Sequence, residues 1–89
     1  MSSNIAASVY DGAFAVTPSN TVNDANGPFA ALWLGTVTTG QTLSFVDASG
    51  NTTAATFGTT GSFLFPVRCI RVNVTGTTVT NVLGLKAIP

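Results

Sequence analysis

Residues 66–85 read "PVRCIRVNVTGTTVTNVLGL", and the pairing of this stretch decides the fold. β-Branched residues alternate with small and polar ones on either side of Thr75, Gly76, Thr77 and Thr78, so it reads as two apolar strands hinged on a threonine-rich turn. In one phase lie Arg68, Ile70, Val72 and Val74; in the other lie Val67, Cys69, Arg71 and Asn73. Each phase mixes apolar and polar residues, so neither is a clean solvent face. Two accounts stay open. Either one face is core and the other a rim where the arginines extend their tips into water, or the strand is covered on both sides, once by another chain, with an arginine bonding carboxylates or carbonyls there.

The rest of the chain repeats this character. Threonine supplies about one residue in six, and helix signals are almost missing. "AALWLGTV" (residues 30–37) reads as a strand, and "TTG" leads into "QTLSFVD" (41–47), where Leu43 and Phe45 share a face at period two. "DASGN" is a hairpin loop, with Asp47 bonding the turn backbone and Gly50 taking positive φ. "TTAATF" (52–57) returns antiparallel; after "GTTG" a long extended run spans residues 62–75, and a last strand runs from about 78 to 87. Nearer the start, a brief strand over 13–17 precedes a Pro/Ser/Asn/Asp/Gly loop over 18–28. Ahead of it lies a small, polar segment anchored only by Ile5, Val9 and Tyr10, read either as a frayed terminus or as an arm ordered across a neighbouring subunit. The expectation is an all-β fold: a small antiparallel β-sandwich or barrel of about six to seven strands with an extended N-terminal arm. Its division is residues 1–28 as arm and loop and 29–89 as the β domain.

Composition narrows the function. At 89 residues the chain is one domain, which hides only roughly 60–65% of its unfolded surface. Charged residues make up 7%, the formal net charge is zero, and the mean hydropathy is +0.44. A free, concentrated monomer usually keeps net charge to stay soluble, so much of this surface is expected to be covered in the working state. The longest apolar run, "PFAALWL" (28–34), is far short of the roughly 20 residues that a spanning helix needs. No signal peptide is evident at the N-terminus, and the lone Cys69 rules out an internal disulfide, so production in a cytoplasm is expected.

Catalytic chemistry finds no residues to carry it. Histidine and glutamate are absent, and Asp11, Asp24 and Asp47 all stand in turn-like sequence. General acid–base work wants a histidine or paired carboxylates, and a nucleophilic hydroxyl wants a base. Cys69 has no histidine to activate it and reads as a buried apolar residue. No zinc or calcium ligand spacing appears, and three cations cannot neutralise many phosphates. The expectation is no enzyme, no cofactor, no metal, no direct nucleic acid and no membrane. Two Asn-x-Thr sequons, at Asn51 and Asn73, are weak matches in a threonine-rich chain. Binding remains, either to sugar through Trp33, Tyr10 and loop side chains, or to other polypeptides.

Three segments in order then carry a resemblance: "AFAVTPSN" (13–20), "ALWLGTV" (31–37) and "LFPVRCIRVNVTGTTVTNVLGL" (64–85). Together they resemble a family of small phage virion proteins that includes the head-spike base proteins of gene-transfer agents and tailed phages, and related capsid-decorating proteins. The resemblance spans roughly residues 13–85. Its most specific part is Pro66, Arg68, Arg71 and the turn at 75–78, followed by an apolar final strand. Asn20, Ala30 and Ile70 depart from the pattern by loss of charge.

What the resemblance implies is a non-enzymatic virion structural protein on the outer surface of a tailed-phage capsid, made in the bacterial host cytoplasm. It would stabilise the shell as a cement or decoration protein, with the major capsid protein as partner. It would also bind itself as a cyclic homo-oligomer, a trimer or else a pentamer. A head-spike base or vertex protein docking a fibre is the alternative, and a carbohydrate-binding host-attachment module the second. The chain shows no fibre or receptor-binding extension past Pro89, which tilts the expectation towards cement. The expected interface draws on the aromatic residues Tyr10, Phe14, Trp33, Phe63 and Phe65, and on Arg68, Ile70 and Arg71.

Overall fold

The computed structural model describes residues 10–87, and among them there is no helix. Seven strands form: β1 (Tyr10–Ala15), β2 (Ala31–Val37), β3 (Thr42–Asp47), β4 (Thr52–Thr56), β5 (Gly61–Phe65), β6 (Cys69–Val72) and β7 (Val82–Ala87). They make one four-stranded sheet in the order β1-β7-β2-β5 and one three-stranded sheet in the order β4-β3-β6. All pairings are antiparallel. This is a small β-sandwich, as the turn spacing implies. The first nine residues of the expected arm lie outside the described residues.

Alternation builds the core between the sheets. Leu32 and Leu34 of β2 point inward, as do Leu43 and Phe45 of β3, joined by Phe29, Val37, Cys69, Val72 and Val79. Phe45 meets the ring of Phe65 edge-on at 5.3 Å, and Phe57 stacks on Phe63 at 6.0 Å, geometries that suit the aromatic quadrupole. Phe29 is bound to Cys69 by backbone hydrogen bonds in both directions, of 2.8 and 3.0 Å. Its ring lies against Gly84, where any Cβ would collide with it.

The hairpin expected after residue 47 is present. Asp47 Oδ1 accepts from the backbone N–H groups of Ser49 and Asn51, each at 2.9 Å. Gly50 adopts φ +90°, and β3 and β4 pair without a register shift. The expected strand over 13–17 begins earlier, at Tyr10.

Residues 66–85 depart from expectation. They do not form a hairpin: β6 belongs to the three-stranded sheet and β7 to the four-stranded one. The long extended run over 62–75 is likewise broken. Pro66, which lacks the N–H a continuing ladder would use, stands at the corner where the chain passes from β5 in one sheet to β6 in the other. The threonine-rich segment does turn, Thr77 N–H donating to Val74 O at 3.3 Å across Thr75 and Gly76, but the strands on its two sides do not pair. It runs beside β3 and replaces missing ladder bonds with side-chain hydroxyls: Thr77 Oγ1 accepts from the Ser44 N–H at 2.9 Å, and Thr78 Oγ1 from the Thr42 N–H at 2.8 Å. Gly76, at φ +85°, lets the backbone lie close to Ser44.

The two-phase reading of residues 67–74 also gives way. Cys69 and Val72 are both buried although they belong to opposite phases. The register between β3 and β6 shifts between Val46, opposite Arg71, and Asp47, opposite Cys69, which leaves Ile70 as an extra residue. Such a bulge resets the facing of side chains. The loop at 18–28 covers the free edge of β6: Ser19 N–H donates to Val72 O at 2.9 Å and Asp24 N–H to Ile70 O at 3.0 Å. Asn20 Oδ1 accepts from Val74 and Thr75 N–H groups at 2.9 and 3.0 Å. Two of the three segments noted above therefore touch directly.

Candidate functional site

A sheet with one face on the core leaves its other face to water unless something covers it. In β2, Leu32 and Leu34 are wholly buried while Trp33 between them is 38% exposed, so Trp33 points out. Antiparallel partners share a face. Trp33 stands opposite Leu83 of β7 and Leu64 of β5, and Leu83 stands opposite Ala15 of β1. The outer face therefore carries an unbroken row, Ala15, Leu83, Trp33, Leu64. A second row lies beside it: Ala13, Leu85, Ala31. Tyr10, opposite Ala87, extends the same face at one end. None of these side chains is charged, and Leu64 is 47% exposed. Ala13, Ala15, Trp33 and Leu64 are exposed, Leu83, Leu85 and Tyr10 are half-buried and Ala31 is wholly buried; exposed apolar surface of this kind marks an interaction site more often than chance.

The expected interface residues do not gather into one patch. Tyr10 and Trp33 share the outer face. Phe63 and Phe65 point the other way, half-buried against the core at the β5 edge. Phe14, 39% exposed, is on β1 at the opposite edge. Arg68 is exposed at the corner between the sheets. Ile70 and Arg71 are half-buried in β6, where Arg71 Nε donates to Asn73 Oδ1 at 3.2 Å and Nη1 reaches Asn23 Oδ1 at 3.5 Å. Arg71 thus helps to hold the 18–28 loop. Leu83 and Leu85 were missed. Their signal was the alternation in "VLGLKA", where Gly84 is the inward residue, but a glycine does not read as core.

Asp24 accepts from Thr17 N–H at 3.1 Å and from Asn26 N–H at 2.9 Å, within an open depression of about 320 Å³. Among the described residues, no three His, Cys, Asp or Glu side chains are grouped as a metal would need, and no helix is long and apolar enough to cross a membrane. Cys69 is buried, and its thiol donates to Arg71 O at 3.3 Å. Burial pushes this thiol above its usual value of 9.0, and the carboxylates of Asp24 and Asp47 push it the same way. Linkage then has a definite sign. Below about pH 9 both folded and unfolded thiols keep their protons; above it the unfolded chain ionises first, so stability falls as pH rises through the folded value. Denaturant midpoints measured from pH 8 to 10.5 are expected to fall more steeply for the native chain than for Cys69→Ser. Equal slopes would remove the assignment.

Neutral composition, a two-sheet core and an uncovered apolar face define a class: small β-sandwich proteins presenting one greasy sheet. No family model and no curated protein matches the sequence. Among solved structures, a chain of the "Capsid of native GTA particle computed with C5 symmetry" is similar to this one, with 34% identity and a TM-score of 0.66. The match covers 86% of this chain and 83% of that chain. At that identity and coverage the chain belongs to the same family as this gene-transfer-agent capsid chain, and is a phage-capsid-related structural protein.

Proposed function

We propose that this protein is a non-enzymatic component of the virion that binds the outside of a tailed-phage head through the Trp33 face and stabilises the shell as cement. The observation that carries the reading is the uncharged outer face of the four-stranded sheet in a chain related to a capsid protein. The major capsid protein is the partner, and a cyclic homo-oligomer, a trimer, is the binding unit. A ligand that binds only the assembled shell stabilises it by mass action, about 2.7 kcal/mol per site at a hundredfold excess over Kd. Repetition around a ring adds the patches by avidity. The immediate cross-strand neighbours of Trp33, Leu83 and Leu64, are apolar, which favours a protein surface over a sugar.

The test mixes purified protein with expanded heads assembled without it. Saturable binding and added resistance to heat and low salt are expected. Failure to bind, or bare heads as durable as complete ones, would refute the reading. Copy number per particle separates lattice-wide cement from a spike base, which is present only at vertices.

A further inference from the structure

We propose that a second copy of this chain extends the four-stranded sheet edge to edge, β1 of one copy pairing with β5 of the next in a defined register. This deepens the cyclic homo-oligomer reading and rests on it. The two strands are opposite edges of one sheet. With four alternating antiparallel strands, β1 and β5 run in opposite directions, so head-to-tail addition keeps the whole sheet antiparallel. Proteins normally guard open edges with charge, proline or a covering loop. The β6 edge is covered by the 18–28 loop, whereas β5 carries no charge. On β1, Asp11 and a bulge between Tyr10 and Gly12 interrupt only the start of the strand.

Backbone direction sets the register. Val16 N–H bonds Val82 O and Gly35 N–H bonds Asn81 O. By strand alternation, Ala13 and Ala15 then turn their backbone groups away from β7, and Ser62 and Leu64 turn theirs away from β2. Pairing Leu64 with Ala13 and Ser62 with Ala15 satisfies all four residues. The same register sets Phe63 opposite Phe14 and Phe65 opposite Gly12, all on the core-side face. The Phe14 ring leans over Gly12, 3.1 Å from where a Cβ there would stand, so this one exposed ring would lie against both half-buried rings, Phe63 and Phe65, of the neighbouring copy. Past Leu64 the ladder ends where Pro66 lacks a donor and faces the β1 bulge. On the outer face the apolar rows continue from one copy to the next.

The test places cysteines at Ala15 and Ser62 in a Cys69→Ser chain. Within one copy these positions are three strand spacings apart, about 14 Å, too far for a disulfide; across the seam they would be about 5.5 Å apart. Oxidation is expected to give a covalent ladder on a non-reducing gel, both in free protein and on heads. Phe14→Ala is expected to weaken self-association at least about fivefold with its thermal midpoint nearly unchanged. Binding to heads with no disulfide would overturn the seam and leave the cement reading standing. A disulfide ladder in protein that ignores heads would support the seam and overturn that reading. Cross-linking instead through a single Ala54→Cys on β4 would signal a twofold dimer and overturn the seam.

Discussion

Replacing Phe29 by alanine is expected to lower the thermal midpoint by about 12–40 °C. The side chain is 1% exposed and among the largest that are fully buried. Truncating such a ring costs about 3–5 kcal/mol, and in a domain of this size each kcal/mol shifts the midpoint by roughly 4–8 °C. Total stability is on the order of 4–13 kcal/mol at the usual 0.05–0.15 kcal/mol per residue, so a large share would be lost. The ring also explains Gly84, because a methyl group there would enter its space. Gly84→Ala should therefore destabilise by about 1–3 kcal/mol through overpacking. Combining it with Phe29→Leu should cost less than the sum of the two, since both act on one contact. Thermal melts followed by circular dichroism measure all four chains. A drop under about 5 °C for Phe29→Ala would mean that the core closes over the loss.

Trp33→Glu should leave the fold intact and abolish attachment to heads. Trp33 is 38% exposed and the core lies on the other side of β2, so the folded monomer tolerates a carboxylate there. A docked face does not, because an unpaired charge buried between Leu83 and Leu64 must lose its water. The expected loss is about 2 kcal/mol or more per copy, roughly thirtyfold, compounded by the number of copies that dock together. Trp33 is the single tryptophan, so native emission should shift to the blue on binding, as its surroundings turn apolar. Unchanged binding by the variant, with a native melt, would detach the face from the function.

The lesson for reading such chains sits in particular residues. Asp47 and Gly50 were legible because a turn is local: a carboxylate that bonds amides two and four residues on, and a glycine at positive φ, require nothing distant. The predicted β3–β4 hairpin followed from them. Trp33 was visible as an oddity between two leucines, but its role was not, since platform, core and contact surface share one sequence. The outer face needed four strands, distant in the chain, to set Ala15, Leu83, Trp33 and Leu64 side by side.

Alternation, neutrality, abundant threonine and missing acid–base pairs determined by themselves an all-β domain whose surface calls for company, because each is a property of short windows or of bulk composition. Only the tertiary structure decided that residues 66–85 leave one sheet for the other. Period two records which way a side chain points, not which strand lies beside it. Pro66 ends the β5 ladder, and the Ile70 bulge and the hydroxyls of Thr77 and Thr78 fix β3 as the new neighbour, the hydroxyls through bonds to residues more than thirty positions away in the chain.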